Sequence, residues 1–283
     1  MKHDYLLGTP GAVKLYGRVR SLPIYDYHCH LSPEEIYLDR EFTDISGMWL
    51  SGDHYKWQLM RLAGIDEKYI TGDAGGYEKF LAYAEAVEYA AGNPLYHWTQ
   101  MELSMYFGIE TPLSPATAEE IYNRANRVIK ERHYSPRKLI AMSDVRYIAT
   151  TDDPADSLEY HEKLASDTGF AADIAPSFRA DNLLLIRHGG YPEYIKKLSA
   201  AAGSEISDLE SLKKAIAARL DFFVRHGCRF SDVGIPFFPR RDSGCSADMT
   251  FAKALSGADI SDGEYLDFLF DMYRFLGGLY RDK

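Results

Sequence analysis

The sequence predicts a parallel α/β fold of the β/α-barrel type, with a helical insert after the first strand. Short β-prone segments alternate with helical segments from about residue 142 to the end, as in parallel β/α units. Several of these strands end in polar residues, where β/α barrels build their sites. Residues 32–141 carry helical signals and little strand pattern, so we predict an insertion subdomain there and a barrel portion over 1–31 and 142–283.

Composition and charge exclude several classes of partner. The chain has 283 residues, 46% of them hydrophobic, and its net charge of -10 repels nucleic-acid phosphates. It has no apolar run of membrane-spanning length and no signal-peptide pattern at its start. Three widely spaced cysteines, Cys29, Cys228 and Cys245, favour a reducing compartment over a disulfide framework. We therefore predict a cytoplasmic protein that binds neither nucleic acid nor membrane.

The first strand is predicted over Leu22–His30, buried, and it ends in His28-Cys29-His30. Side chains alternate along a strand, so both histidines face one way and Cys29 faces the other. Two neutral imidazoles on one side can hold a divalent metal, zinc above all. The alternative is a hydrogen-bonded histidine pair that caps a strand. The location after the first strand of a β/α pattern favours the metal. Ser32-Pro33 then begins a helix.

The insert is predicted to contain helices over 77–91, 99–107 and 114–132. One of its motifs, Ser51-Gly52-Asp53-His54-Tyr55-Lys56-Trp57, places two groups that can relay protons, His54 and Tyr55, side by side. The alternative is a helix start capped by Asp53, with Tyr55 and Trp57 buried. Composition alone favours this alternative.

The later strands are predicted over Val145–Thr151, Asp173–Arg179 and Arg229–Ile235. The first is followed by Asp152-Asp153-Pro154, where one aspartate could simply form the turn. The last contains Asp232.

Arg179 ends the second of these later strands. Its guanidinium matches a carboxylate. A surface pair of Arg179 with Asp181 is the equally weighted alternative.

Seven stretches occur in one order from about residue 22 to the end of the chain. They are D-Y-H-C-H-L-S-P, G-D-H-Y-K-W, Y-I-T-G-D-A, G-N-P-L-Y-H-W-T, T-T-D-D-P, F-R-A-D and H-G-C-R-F-S-D. In this set the chain resembles the uronate isomerases (glucuronate isomerases) of the amidohydrolase superfamily. The set is far more specific than the two histidines alone.

The resemblance implies a distorted (β/α)8 TIM barrel, amidohydrolase-like, that interconverts D-glucuronate with D-fructuronate and D-galacturonate with D-tagaturonate. It implies that His28 and His30 bind the metal, zinc or alternatively manganese. It also implies that Arg179 binds the substrate carboxylate, which supplies the local cation that an acidic chain needs for a uronic acid.

The resemblance implies catalytic roles for His54 and Tyr55, which would reach the sugar from the insert, and makes Trp57 a candidate for substrate binding. Aldose–ketose isomerisation moves a hydrogen between C2 and C1. An enediol route needs a base, an acid and stabilisation of charge on the oxygens. A histidine, a tyrosine and one metal fit that need.

The chain departs from the family pattern at Val233, where the family usually has histidine, and at Gln58, where it usually has arginine. Only four strands with site character occur, whereas the family barrel has eight. The resemblance also implies a further metal-binding aspartate and a substrate-contacting arginine from the last strand, and nothing after Lys283 supplies them. We therefore expect an incomplete barrel.

An incomplete barrel has consequences for association and activity. Its open strand edges favour a homo-oligomer. We expect this chain alone to be a poor isomerase. Two alternatives are a metal-dependent hydrolase of the same superfamily and a catalytically inactive chain that binds sugar acids or a partner subunit.

Overall fold

The computed structural model describes residues 5–283, which form two compact units. The helical unit comprises residues 5–22 and Asp39–Met142. The barrel unit comprises Pro23–Leu38 and Ser143–Lys283. Residues 1–4 of the predicted barrel portion lie outside the described residues.

Helices dominate both units. In chain order they are α1 (Pro10–Val19), α2 (Pro33–Leu38), α3 (Ile45–Leu50), α4 (His54–Leu62), α5 (Gly76–Glu88), α6 (Pro94–Phe107), α7 (Ala118–Arg132), α8 (Pro136–Met142), α9 (Glu159–Ala165), α10 (Asp181–Leu184), α11 (Tyr191–Ala202), α12 (Leu209–Arg225), α13 (Ala247–Ser256) and α14 (Asp262–Arg281), with a 3₁₀ turn at Glu67–Tyr69.

Residues 5–22 belong to the helical unit and not to the predicted barrel portion. Helix α1 was not predicted, although Thr9 caps it by accepting a hydrogen bond from the Ala12 amide at 3.1 Å and Pro10 occupies its first turn. The Tyr5 hydroxyl lies 2.8 Å from Nδ1 of His97 in α6. That contact, which no local pattern reveals, attaches this segment to the helical unit.

Helix α2 belongs to the barrel unit, so the predicted start of the insert at residue 32 is about seven residues early. The hydroxyl of Tyr160 in α9 donates to Glu34 at 2.9 Å, and the rings of Tyr37 and Tyr160 lie 5.9 Å apart. Lys163 stacks over Tyr160 at 4.3 Å. These contacts make α2 the helix of the first β/α unit, because it packs beside the helix of the next unit.

The helical unit has its own core, in which Trp49 packs against Phe80, Tyr83 and Phe107 with ring centroids 6.2–6.3 Å apart. The helices predicted over 77–91, 99–107 and 114–132 are confirmed as α5, α6 and α7. The part of this unit that the structure describes contains no strand, as predicted.

The four strands of the described residues form one parallel sheet in the order β1 (Ile24–Asp26), β2 (Val145–Asp152), β3 (Asp173–Arg179) and β4 (Ser231–Asp232). The central strands β2 and β3 match their predicted ranges closely. The edge strands are shorter than predicted, because each has only one neighbour with which to pair.

The predicted burial of β1 is wrong. Ile24 is 48% exposed and Tyr25 is 67% exposed. Within residues 5–283, β1 pairs on one edge only. A run of apolar residues in a sequence predicts burial. Whether another segment covers those residues depends on the tertiary structure.

Helices cover one face of the sheet. Phe178 on β3 is fully buried and lies 5.1 Å from the ring of Phe223 in α12 and 6.4 Å from that of Tyr280 in α14. Phe251 and Phe268 join the same core. No helix in the described chain is long and apolar enough to cross a bilayer.

Replacing Phe178 with alanine should lower the free energy of unfolding by about 3–5 kcal/mol, because a fully buried ring leaves a cavity in the barrel-unit core. Urea denaturation followed by circular dichroism measures the change. The matched control is Phe238→Ala, since Phe238 is 90% exposed and should contribute little. Equal effects of the two substitutions would contradict this description of the core.

Candidate functional site

A polar cluster lies at the carboxyl ends of the strands in the barrel unit. His28 and His30 follow β1, Arg179 ends β3 and Asp232 ends β4. Oδ2 of Asp232 lies 3.4 Å from Nδ1 of His28 and 3.5 Å from Nη1 of Arg179. The predicted metal pair and the predicted anion anchor therefore belong to one cluster, joined by an aspartate to which the sequence assigned no role.

The two histidine rings lie on the same side of the chain, as predicted. Their Nε2 atoms are 3.1 Å apart, and the ring planes are nearly perpendicular at 86°. Between them, the Cys29 amide donates to the carbonyl of Ala149 on β2 at 2.9 Å, so the extended pairing continues past the end of β1. Burial raises the pKa of the Cys29 thiol to about 11, which keeps the thiol neutral at pH 7.

Each histidine directs its other ring nitrogen, Nδ1, to a residue of another strand. Nδ1 of His30 lies 3.3 Å from Oγ1 of Thr151 on β2, and Nδ1 of His28 faces Asp232. Metal-binding histidines are commonly oriented by such contacts, which direct the remaining nitrogen to the ion. The pair therefore fits half of a metal site. Residues 5–283 contain no group of three or more His, Cys, Asp or Glu side chains arranged for an ion.

Arg179 is held by two carboxylates. Its Nε donates to Oδ2 of Asp181 at 2.7 Å, and Oδ1 of Asp181 accepts from the Gly234 amide at 2.7 Å. The pair with Asp181 exists, as the alternative interpretation expected, but Arg179 also approaches Asp232 and is 38% exposed. Because two carboxylates flank one guanidinium, the site needs further positive charge before it can attract an anion.

Asp152 does not face this cluster. Its Oδ2 accepts from the Thr150 hydroxyl at 2.7 Å and lies 3.7 Å from Nε2 of His161 in α9. Adjacent side chains alternate across a strand, so Asp152 points to the helix layer whereas Thr151 points to the histidines. The expectation that a polar residue at the end of this strand belongs to the site is wrong for Asp152.

Asp153 forms the turn after β2. Its Oδ1 accepts from the Ala155 amide at 2.8 Å, and its Oδ2 accepts from the side chain of Asn182 at 2.8 Å. The turn interpretation is therefore confirmed for this aspartate.

The helical unit contains the other predicted residues. Oδ1 of Asp53 accepts from the amides of Tyr55 and Lys56 at 3.0 and 3.1 Å, which confirms the helix cap at α4. Tyr55 is 62% exposed, so its predicted burial is wrong. His54 lies beside both aromatic rings, with centroids 5.7 Å from Tyr55 and 6.3 Å from Trp57.

The start of α4 is held rigidly. Lys56 is buried, donates to Oδ2 of Asp53 at 2.6 Å and lies over the Trp49 ring at 5.9 Å. Burial alone would raise the pKa of Asp53, but the hydrogen bonds from Lys56 outweigh it and lower that pKa. Trp57 donates its indole N–H to the Leu50 carbonyl at 2.6 Å, so only its ring can serve a ligand. The approach of His54 and Tyr55 to the barrel mouth stays a prediction.

The sequence profile described as glucuronate isomerase matches residues 1–283. The chain belongs to the glucuronate isomerase family. Among curated relatives, the uronate isomerase of Caldanaerobacter subterraneus subsp. tengcongensis is 45% identical and that of Clostridium perfringens is 41% identical, each across 100% of this chain.

The chain spans 61% of the length of these two relatives. The crystal structure of uronate isomerase from Thermotoga maritima matches 100% of this chain and 62% of its own, with a TM-score of 0.90 and 33% identity. Glucuronate isomerase from Caulobacter crescentus shares the fold at a TM-score of 0.85 and 22% identity, over 94% of this chain and 57% of its own. The predicted amidohydrolase-like barrel fold, present here as four parallel strands, is thereby confirmed.

The two departures from the family pattern occupy different surroundings. Val233 directly follows Asp232 and packs against the barrel-unit core, whereas Gln58 is exposed on α4. Valine at 233 can contribute to packing but cannot supply an imidazole to the neighbouring cluster.

The pKa shifts of Asp152 and His161 predict opposite effects of pH on the free energy of unfolding. Burial raises the pKa of Asp152 to about 6, so its contribution is present below about pH 4 and is lost as the pH rises through 6. Burial lowers the pKa of His161 to about 4, so its contribution is present above about pH 6.5 and is lost as the pH falls through 4.

The Asp152→Asn variant should therefore gain stability from pH 4 to pH 6.5 by about 3 kcal/mol more than the unsubstituted chain, since only the His161 effect remains. Urea titrations across this range measure the slope. The His161→Gln variant should show the opposite slope. Unchanged slopes in both variants would contradict the assigned burial effects.

Proposed function

We propose that the polar cluster of the barrel unit serves the isomerisation of hexuronates, D-glucuronate to D-fructuronate and D-galacturonate to D-tagaturonate. The observation that carries the proposal is the shared contact of Asp232 with His28 and Arg179. It links a candidate metal half-site to a candidate carboxylate anchor, in a chain that belongs to the glucuronate isomerase family.

His28 and His30 would hold a divalent metal, zinc or alternatively manganese, through their Nε2 atoms. A bound divalent cation would polarise the carbonyl and hydroxyl oxygens of the sugar. The proposal is supported by the 3.1 Å separation of these nitrogens, which suits two ligands of one ion when each metal–nitrogen distance is about 2.0–2.1 Å.

Arg179 would bind the uronate carboxylate. Its Nε donates to Asp181, so a ligand would use Nη2 and Nη1, of which Nη1 also lies 3.5 Å from Oδ2 of Asp232; the partial exposure of Arg179 gives a ligand access. The charge of a divalent ion at the histidine pair would offset the two flanking carboxylates. Anion binding at Arg179 is thus proposed to depend on the metal.

His54 and Tyr55 would move protons between C1 and C2 of the substrate, one as base and the other as acid. These roles are supported by the chemistry of the two side chains and by their adjacent positions at the capped start of α4. Trp57 would contact substrate through its ring face, because its N–H is already donated to Leu50.

A homo-oligomer and a cytoplasmic location complete the proposal. The outer edges of β1 and β4 are unpaired within residues 5–283, and open edges favour association. The cytoplasmic location rests on the spacing of Cys29, Cys228 and Cys245, all of which are free thiols.

The deciding experiment is a coupled assay for D-glucuronate isomerisation with added zinc or manganese. We expect the chain alone to show little turnover, because its metal half-site has two ligands. Addition of the part of the Thermotoga maritima enzyme that this chain does not match should raise turnover. A double variant, His28→Asn with His30→Asn, should abolish that gain.

Two other results would point to other functions, and a third would contradict the expected low activity. Hydrolysis of a uronate ester or amide without isomerisation would support the metal-dependent hydrolase. Metal-dependent uronate binding without turnover, even with the added segment, would support the inactive sugar-acid-binding chain. Robust turnover by the chain alone would refute the expectation of a poor isomerase.

Replacing Arg179 with methionine should weaken D-glucuronate binding about 10- to 100-fold, since a charge-assisted hydrogen bond contributes about 1.5–3 kcal/mol. Ligand-observed NMR titration with zinc present measures the dissociation constant. Arg146→Met is the matched control. Arg146 lies at the amino-terminal end of β2, whereas the cluster lies at the carboxyl ends of the strands, and it pairs with Asp144. D-Glucuronamide, which lacks the charge, should bind both variants alike. Equal glucuronate affinity in the two variants would exclude the anchor role.

A further inference from the structure

Asp232 occupies a position that the proposed chemistry leaves without a role. It lies at the end of β4, and β4 and β1 are opposite edges of the four-stranded sheet. Its carboxylate nevertheless reaches His28, which follows β1, at 3.4 Å. The sheet therefore curls enough for side chains of its two edge strands to meet, as Tyr27 and Phe230 also do with ring centroids 6.3 Å apart.

We propose that Asp232 is a positioning residue that fixes the tautomer of His28 and keeps its Nε2 lone pair available to a metal. The inference rests on the proposed function, because the metal half-site gives the tautomer its purpose. Asp232 would not touch the substrate; it would act through His28 and, by the same oxygen, through Arg179.

The carboxylate can serve this role because it only accepts hydrogen bonds at neutral pH. A carboxylate that faces Nδ1 of His28 favours the tautomer with the proton on Nδ1, which leaves the lone pair on Nε2. In the opposite tautomer, the lone pair on Nδ1 of His28 would face a lone pair on Oδ2 of Asp232. The proton would then be on Nε2, where the ion would bind.

Oδ2 of Asp232 is buried and accepts no well-formed hydrogen bond within residues 5–283. A buried acceptor in this state destabilises the fold. Both groups near it, the imidazole and the guanidinium, lie just beyond normal hydrogen-bond length at 3.4 and 3.5 Å. Small side-chain movements would therefore shorten these contacts when the site is loaded, as catalytic hydrogen bonds often do.

The tautomer of His28 also affects the contacts of His28 with His30 and of His30 with Thr151. If His28 carries its proton on Nδ1, its Nε2 accepts at 3.1 Å from a proton on Nε2 of His30. Nδ1 of His30 is then an acceptor, and the Thr151 hydroxyl at 3.3 Å can donate to it. The Thr151 hydroxyl can donate or accept, so it is compatible with either tautomer of His30. The Asp232 carboxylate only accepts, so it favours one tautomer of His28.

This asymmetry predicts what metal binding does to the protons. His30 would have to free its Nε2, so it would lose that proton to solvent and take one up from solvent on Nδ1, and the Thr151 hydroxyl would rotate to accept from Nδ1. His28 keeps its proton on Nδ1 throughout. The two histidines would therefore respond differently to the same ion.

The experiment is long-range proton–nitrogen NMR on the ¹⁵N-histidine-labelled chain at pH 8, first with EDTA and then with zinc. We expect His28 to carry its proton on Nδ1 in both states and His30 to switch from Nε2 to Nδ1. The Asp232→Asn variant should gain the Nε2–H form of His28 and bind zinc about 10- to 100-fold more weakly. A His28 that carries its proton on Nε2 in the unsubstituted metal-free chain would overturn the inference.

Asp181→Asn is the matched control, because Asp181 also holds Arg179 but makes no contact with His28. It should leave the His28 tautomer unchanged and alter zinc affinity less than about threefold. If both variants change the tautomer alike, or neither does, Asp232 has only a structural role. The Asp232→Glu variant retains the carboxylate and should restore the Nδ1–H form, which separates loss of positioning from loss of folding.

The failure of this inference is distinguishable from that of the proposed function. If the unsubstituted chain binds no zinc, the metal half of the proposed function fails. The tautomer of His28 in the metal-free chain still decides the role of Asp232. If zinc binds equally well to the unsubstituted chain and to Asp232→Asn, the positioning role fails while the metal half-site stands.

Discussion

The contact between His28 and Asp232 is the constraint on which the rest of the site depends. These residues follow the two edge strands of the sheet, so their 3.4 Å approach requires the sheet to curl. The fully paired β2 and β3 form the middle of that curved surface. Helices cover its outer face, and the inner face carries the cluster. A flat sheet of the same four strands would separate the histidine pair from Asp232, so the cluster would not form.

Arg179 is one guanidinium between two carboxylates in this cluster, so its charge does not balance theirs. The guanidinium of Arg179 faces the carboxylates of Asp181 and Asp232. Oδ2 of Asp232 accepts no well-formed hydrogen bond within residues 5–283. An arrangement selected for stability would satisfy that oxygen, because a buried acceptor without a donor is costly. In the proposed function, a divalent ion at the histidines would supply the positive charge that the cluster lacks, and the same charge would allow an anionic sugar to approach the guanidinium.

Thr151 and Asp152 are consecutive residues of β2, and their side chains point to opposite faces of the sheet. Thr151 faces the histidines, whereas Asp152 faces the helix layer and contacts Thr150 and His161 there. The sequence shows two polar residues at the end of a strand and does not show which one faces inward. A shift by one residue would exchange their roles, because side chains have a period of two along a strand.

The sequence by itself determined the local features: the capped helices of the insert, the central strands β2 and β3, and the placement of His28 and His30 on one side. Each follows from interactions between residues close in the chain. Only the tertiary structure decided the boundaries of the two units, the exposure of β1 and the contact of Asp232 with His28. Asp232 is far from His28 in the chain, and its contact with Nδ1 arises from the curvature of the whole sheet. Strand pairing and curvature depend on packing between distant segments, which no local pattern of residues specifies.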